Sequence, residues 1–76
     1  MAKLTPRPTR RVLKALQRAG WVRRAGKPGA KHYVLEHLTL PGILVVPRHP
    51  NLRKGTLGKI IKQAGLTLAE FERIYR

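Results

Sequence analysis

Residues 45–66 read VVPRHPNLRKGTLGKIIKQAGL, and the fold is decided there. A β-branched apolar pair stops at Pro47, and Pro50 stiffens the cationic loop that follows. Proline fixes φ and removes an N–H, so neither position continues a strand ladder. From Thr56 the pattern turns helical. Leu57, Ile60, Ile61 and Ala64 fall at i, i+3, i+4 and i+7, one apolar face, and Gly65 is placed to end the helix in the C′ position. A strand end, a basic loop and a helix start in one piece suit a phosphate backbone, because helix N-terminal amides and nearby Lys or Arg favour anions.

Upstream, Ile43-Leu44-Val45-Val46 is continuously apolar and reads as a strand with one face covered by helices. Pro41-Gly42 separates it from His32–Leu38, a second strand with β-formers at its centre. Gly26-Lys27-Pro28-Gly29 is a turn cluster, and Trp21–Arg24 is a short strand before it. Three strands on short turns predict an antiparallel meander. Thr9–Ala19 is helical, with Val12, Leu13, Leu16 and Ala19 on one face and Gly20 as its stop; Thr5, ahead of Pro6, is a possible N-cap. Downstream, Thr67-Leu-Ala-Glu70 is a capping box that opens a last short helix carrying Leu68, Phe71, Ile74 and Tyr75. The order is α-β-β-β-α plus a short terminal helix. The expected fold class is α+β: a three-stranded antiparallel sheet, two helices on one face, and residues 1–76 as a single domain.

Composition narrows the chemistry. Seventeen Lys and Arg face three acids (Glu36, Glu70 and Glu72), a net charge of +14. That is the footprint of a polyanion binder, with nucleic acid first, an anionic membrane surface second and an acidic protein third. Basic residues spread along the chain fit a membrane surface less well. Cysteine is absent, which excludes disulfides and thiolate metal sites. No apolar run approaches the ~18 residues of a membrane span, and MAKLTPRPTRR lacks a signal core. A soluble, cytoplasmic chain is expected. Glu70 and Glu72 are two apart on a helix and point apart, so paired-carboxylate catalysis and two-metal nuclease chemistry are disfavoured. No metal or cofactor is expected.

Three histidines remain. His32 opens a strand behind the turn cluster; His37 and His49 stand at strand ends, where packing roles are the default. A metal-free ribonuclease needs one imidazole to move the ribose 2′-OH proton and cations to stabilise the charge that develops at phosphorus. His32 is the candidate catalyst, against the ordinary role of an edge-strand residue. Lys27, Lys31, Arg48, Arg53 and Lys54 are the candidate RNA contacts. Tyr33 could stack a base, but cross-strand packing is its commoner use.

The segments Leu16-Gln-Arg-Ala-Gly-Trp21, His32–His37, Val45-Val-Pro-Arg-His49, Lys54-Gly-Thr-Leu57 and Ile60–Thr67 together resemble the HicA, or YcfA-like, toxin family over nearly the whole chain. The resemblance implies a fold like the double-stranded-RNA-binding domain. It also implies an mRNA interferase, a toxin of a type II toxin–antitoxin system, and a HicB-like antitoxin as partner. The family's catalytic histidine follows Gly-Ser or Gly-Asp at the start of the second strand, and His32 falls on that position. Here Ala30 and Lys31 precede it, and the nearest glycine, Gly29, is displaced by one. That difference keeps a second expectation open, a non-catalytic RNA-binding module of the same fold.

Overall fold

The computed structural model describes residues 4–24 and 29–76. The chain runs β1 (Arg7–Pro8), α1 (Thr9–Arg18), β2 (Trp21–Arg23), β3 (His32–His37), β4 (Ile43–Pro47), β5 (Asn51–Leu52), α2 (Lys54–Gln63) and α3 (Leu68–Tyr75). β2, β3 and β4 form the expected antiparallel meander with β3 in the centre. The architecture is α+β, with the α-β-β-β-α order intact. The expected turn at Gly26-Lys27-Pro28 lies outside the described residues, as does Lys27 itself.

Two local features differ from expectation. The first helix starts from Pro8 rather than from a Thr5 cap, because Arg7–Pro8 is extended and pairs with Asn51–Leu52 in a separate two-stranded sheet. A residue preceding proline is driven toward the extended region, which suits the extended Arg7–Pro8 pair to strand pairing. The second helix begins at Lys54, with Arg53 at its N-cap, two residues earlier than the apolar pattern shows. Thr56 therefore lies inside the first turn.

One core joins the layers. Val12, Ala15 and Leu16 of α1, Leu35 of β3, Leu44 and Val46 of β4, Leu57, Ile60 and Ile61 of α2, and Phe71 of α3 are all buried. The alternation of β4 is resolved as Leu44 and Val46 inward, Ile43 and Val45 outward. One sheet face thus meets the helices and the other is open. Register assigns the rest of the open face: Val34 lies opposite Val45, Glu36 opposite Ile43, and His32 opposite Pro47.

Glycines make the helix exits. Gly65 has φ +77; its N–H donates to the Lys62 carbonyl, and that of Leu66 donates to Ile61, the paired bonds of a Schellman motif. Gly20, at φ +98, is more tightly constrained. A β-carbon there would stand 2.6 Å from Nε2 of His37. That histidine explains the demand for space. Its Nε2 lies 2.8 Å from the Ala19 carbonyl, and Nδ1 accepts from the backbone N–H groups of Thr39 and Leu40 at 3.0 and 2.9 Å. The imidazole meets Trp21 edge to face at 5.1 Å. His37 therefore ties the α1–β2 junction to the β3–β4 turn, the packing role expected of it.

α3 is held by cations from the N-terminal part of the chain. Its capping box forms as the sequence predicts, Thr67 Oγ1 accepting from the Glu70 N–H and Glu70 from that of Thr67. Arg7 donates to Glu72 and stacks 4.5 Å from the Tyr75 ring centroid; Arg11 stacks on the same ring at 4.9 Å. Arg18 donates to the carbonyls of Ile74 and Arg76 at 2.7 and 2.9 Å.

The hydrogen bond from Arg7 holds the Glu72 carboxyl below the ordinary carboxylate range, and Glu72 raises Arg7 in turn. A carboxyl depressed in the folded state stabilises that state fully above its unfolded value, about 4.3. The contribution is lost as pH falls through the lower folded value. Acid titration of thermal stability is expected to show this loss below about pH 4.3. In Glu72→Gln the acid limb should be shallower than in the parent, measured as the melting temperature against pH.

Candidate nucleic-acid interface

The expected site residues converge on one end of the sheet. His32 is exposed at the start of β3, on the open face. Its approach is set by Gly29, which takes φ +79, while no non-glycine residue described has positive φ. The displaced glycine thus makes the left-handed turn, and Ala30 is not required to adopt it. Lys31 is exposed next to His32. Among the described residues, none forms a hydrogen bond with the His32 ring.

Arg48 closes this end of the sheet. Its backbone N–H donates to the Lys31 carbonyl at 3.0 Å, and Nη1 donates to the Ala30 carbonyl at 3.1 Å. The guanidinium lies 4.6 Å from the Tyr33 ring centroid, and that of Arg23 lies 4.5 Å from the same centroid. Tyr33 is partly buried against the core, as packing predicts, and the two cations occupy its surface. It does not present a bare ring for base stacking.

The loop after β4 is fixed to α1 by a single buried residue. Thr9, only 4% exposed, donates its hydroxyl to the His49 carbonyl, and its N–H donates to Pro50 at 3.0 Å. This places His49 between two shallow depressions. One, of about 370 Å³, is lined by Arg10, Tyr33, Arg48 and His49 among others. The other, of about 350 Å³, is lined by His49, Leu52, Arg53 and Thr56. Arg48 and Arg53 are thereby brought to either side of His49. Lys54 follows as the first residue of α2, exposed.

The electrostatics of this side are one-signed. Neither α1 nor α2 has a side-chain cap or an acid in its first turn, so the positive ends of both dipoles stand uncompensated. No carboxylate lines either depression. Among the described residues, no group of three His, Asp or Glu side chains is close enough to hold a metal ion, and no helix is long and apolar enough to cross a membrane.

His49 and Arg10 are the members that the sequence reading left out. Neither has a local signal. Arg10 is one of several cations along α1, and His49 gains its setting only from the Thr9 bonds across forty residues of chain.

The sequence model of the family described as "HicA toxin of bacterial toxin-antitoxin" matches residues 9–66. That span begins at Thr9 and ends just past the Gly65 stop of α2, so it contains every site residue named above. A search of curated proteins found no match.

Replacing Thr9 by Val keeps its volume but leaves the His49 carbonyl without its donor. His49 is exposed and the bond only partly buried, so its loss costs the net worth of an ordinary hydrogen bond, about 0.5–1.5 kcal/mol. The Thr9→Val protein should therefore lose that much stability in chemical denaturation, with faster hydrogen exchange at 48–52 than in the sheet.

Proposed function

This chain belongs to the HicA toxin family of bacterial toxin–antitoxin systems, and from that membership we propose that it is a metal-independent endoribonuclease with His32 as its catalytic residue. The observation that carries the reading is an exposed histidine at the sheet end, approached through the Gly29 turn and flanked by Lys31 and the tethered Arg48. The imidazole accepts the ribose 2′-OH proton as the 2′-oxygen bonds to phosphorus. The bond from phosphorus to the 5′-oxygen breaks, that oxygen takes up a proton from water, and the imidazolium afterwards returns its proton to the solvent. The products are a 2′,3′-cyclic phosphate end and a 5′-OH end. Lys31 and Arg48 stabilise the negative charge that builds on the phosphoryl oxygens in the transition state. Arg53 and Lys54, at the α2 N-terminus, hold a neighbouring phosphate, and Lys27 is a further proposed RNA contact.

A toxin of such a system works opposite an antitoxin. Here a HicB-like protein is the proposed partner, mRNA the proposed substrate and the cytoplasm the proposed compartment. The second reading is an RNA-binding module without cleavage. It is favoured by one observation, the lack of an orienting hydrogen bond to His32 among the described residues.

Cleavage of a labelled RNA separates the two. The parent protein should produce discrete fragments ending in cyclic phosphate, at the same rate with and without a chelator. His32→Ala should slow cutting by about 100-fold or more while RNA affinity stays within a few-fold. Equal cutting by both proteins removes His32 from the mechanism; binding without cutting by the parent establishes the module.

A further inference from the structure

Two tyrosines in this molecule each hold a pair of guanidiniums, and the pairs differ in one respect. At Tyr75, Arg7 and Arg11 are accompanied by a carboxylate, Glu72, bonded to Arg7. At Tyr33, Arg23 and Arg48 lie 4.5 and 4.6 Å from one ring centroid, and among the described residues no carboxylate is bonded to either. Two cations gathered on one ring repel each other, and stacking leaves the N–H edge of Arg23, and the part of the Arg48 edge not bonded to Ala30, free to donate. The arrangement lacks the anion that would balance it.

The surroundings say what kind of anion fits. Arg23 also borders a depression of about 300 Å³ between α1 and β2, with Arg10 and Lys14 at its rim and Leu13, Trp21 and Val22 as its apolar floor. Arg10 continues from there into the depression shared by Tyr33, Arg48 and His49. A cationic path with an apolar, aromatic-edged recess beside it matches a backbone with bases splayed off it. A base paired in a duplex cannot enter such a recess, whereas an unstacked one can.

Building on the ribonuclease reading, we propose that Arg23 and Arg48, oriented by Tyr33, form a phosphate clamp for a single RNA strand. The strand runs along the rim where α1 meets the sheet, and one base enters the recess floored by Leu13, Trp21 and Val22. It leaves the clamp past Arg48 at the end of the sheet, where His32 stands. Tyr33 is a positioning residue, acting on RNA only through the two arginines.

Fluorescence anisotropy on the full chain tests this, with a short single-stranded RNA made cleavage-resistant by 2′-O-methylation. Arg23→Ala and Arg48→Ala should each weaken binding about tenfold and lower the slope of log affinity against log salt by about one. Arg23→Lys keeps the charge but not the flat, forked donor, and should weaken binding with the slope unchanged. Tyr33→Leu should do the same; if it fails to fold, Arg23→Lys alone decides the point. Lys59→Ala, an equal charge loss on the solvent side of α2, should stay within twofold. The clamp is overturned if Lys59→Ala weakens binding as much as Arg23→Ala, or if the arginine variants bind RNA like the parent. It is also overturned if an RNA duplex or an acidic peptide binds as tightly with the same arginine dependence. Because binding is read on uncleavable RNA, loss of the clamp and loss of the ribonuclease reading are separate results.

Discussion

Three carboxylates must serve seventeen cationic side chains, and much of this structure follows from that shortage. Each acid has a local duty. Glu72 pairs with Arg7, Glu70 completes the α3 capping box, and Glu36 stands 3.9 Å from Arg24. Among the described residues, some of the remaining cations use other partners. Backbone carbonyls take Arg18 and Arg48, and the rings of Tyr33 and Tyr75 take two guanidiniums each. These contacts fix the direction of the arginines without neutralising them. The protein thus keeps its positive charge and gives it geometry, which is what recognition of a phosphate backbone requires.

The sheet divides that charge between two surfaces. On the helix side, α1 and the end of the sheet frame the depressions that contain Arg10, Arg48 and His49. On the other side, Val45 and Ile43 lie exposed beside Val34 and Glu36, with His32 at the end of the central strand. The two surfaces meet at the strand end. There Arg48 bonds to Ala30 and Lys31 while its guanidinium lies on Tyr33. Arg48 thereby links the proposed catalytic histidine to the groove behind it. The short β1–β5 sheet and the Thr9 bonds keep the loop that carries Arg48 and His49 against α1.

Periodic elements were legible in the sequence, because burial of one helix face leaves a repeat: Leu57, Ile60, Ile61 and Ala64 are all core, as are Val12 and Leu16. The capping box at Thr67 and the exits at Gly20 and Gly65 were equally visible, since each rests on a local backbone requirement. The β1–β5 pairing was not, because two-residue strands have no periodicity to detect. Ala15, fully buried, was hidden by its small side chain. His37 was read as a packing residue, but its contact with Gly20 depends on β2–β3 register. The same holds for Tyr33. Residues 23, 33 and 48 come together through pairing across three strands, and nothing in their neighbours along the chain marks them. His32 was singled out by resemblance and by chemistry, and the fold adds its exposure and the Gly29 turn that leads into it.

The central claim is that a chain short of acids presents its surplus charge as a defined track for single-stranded RNA. The most direct measurement is a backbone-amide chemical-shift map of isotope-labelled protein titrated with a short, uncleavable single-stranded RNA. The account predicts shifts concentrated at Arg10, Arg23, Tyr33, Arg48 and His49 and reaching His32, with Ile43 and Val45 unmoved. Shifts spread evenly over all exposed cations, or centred on Ile43 and Val45, would contradict it.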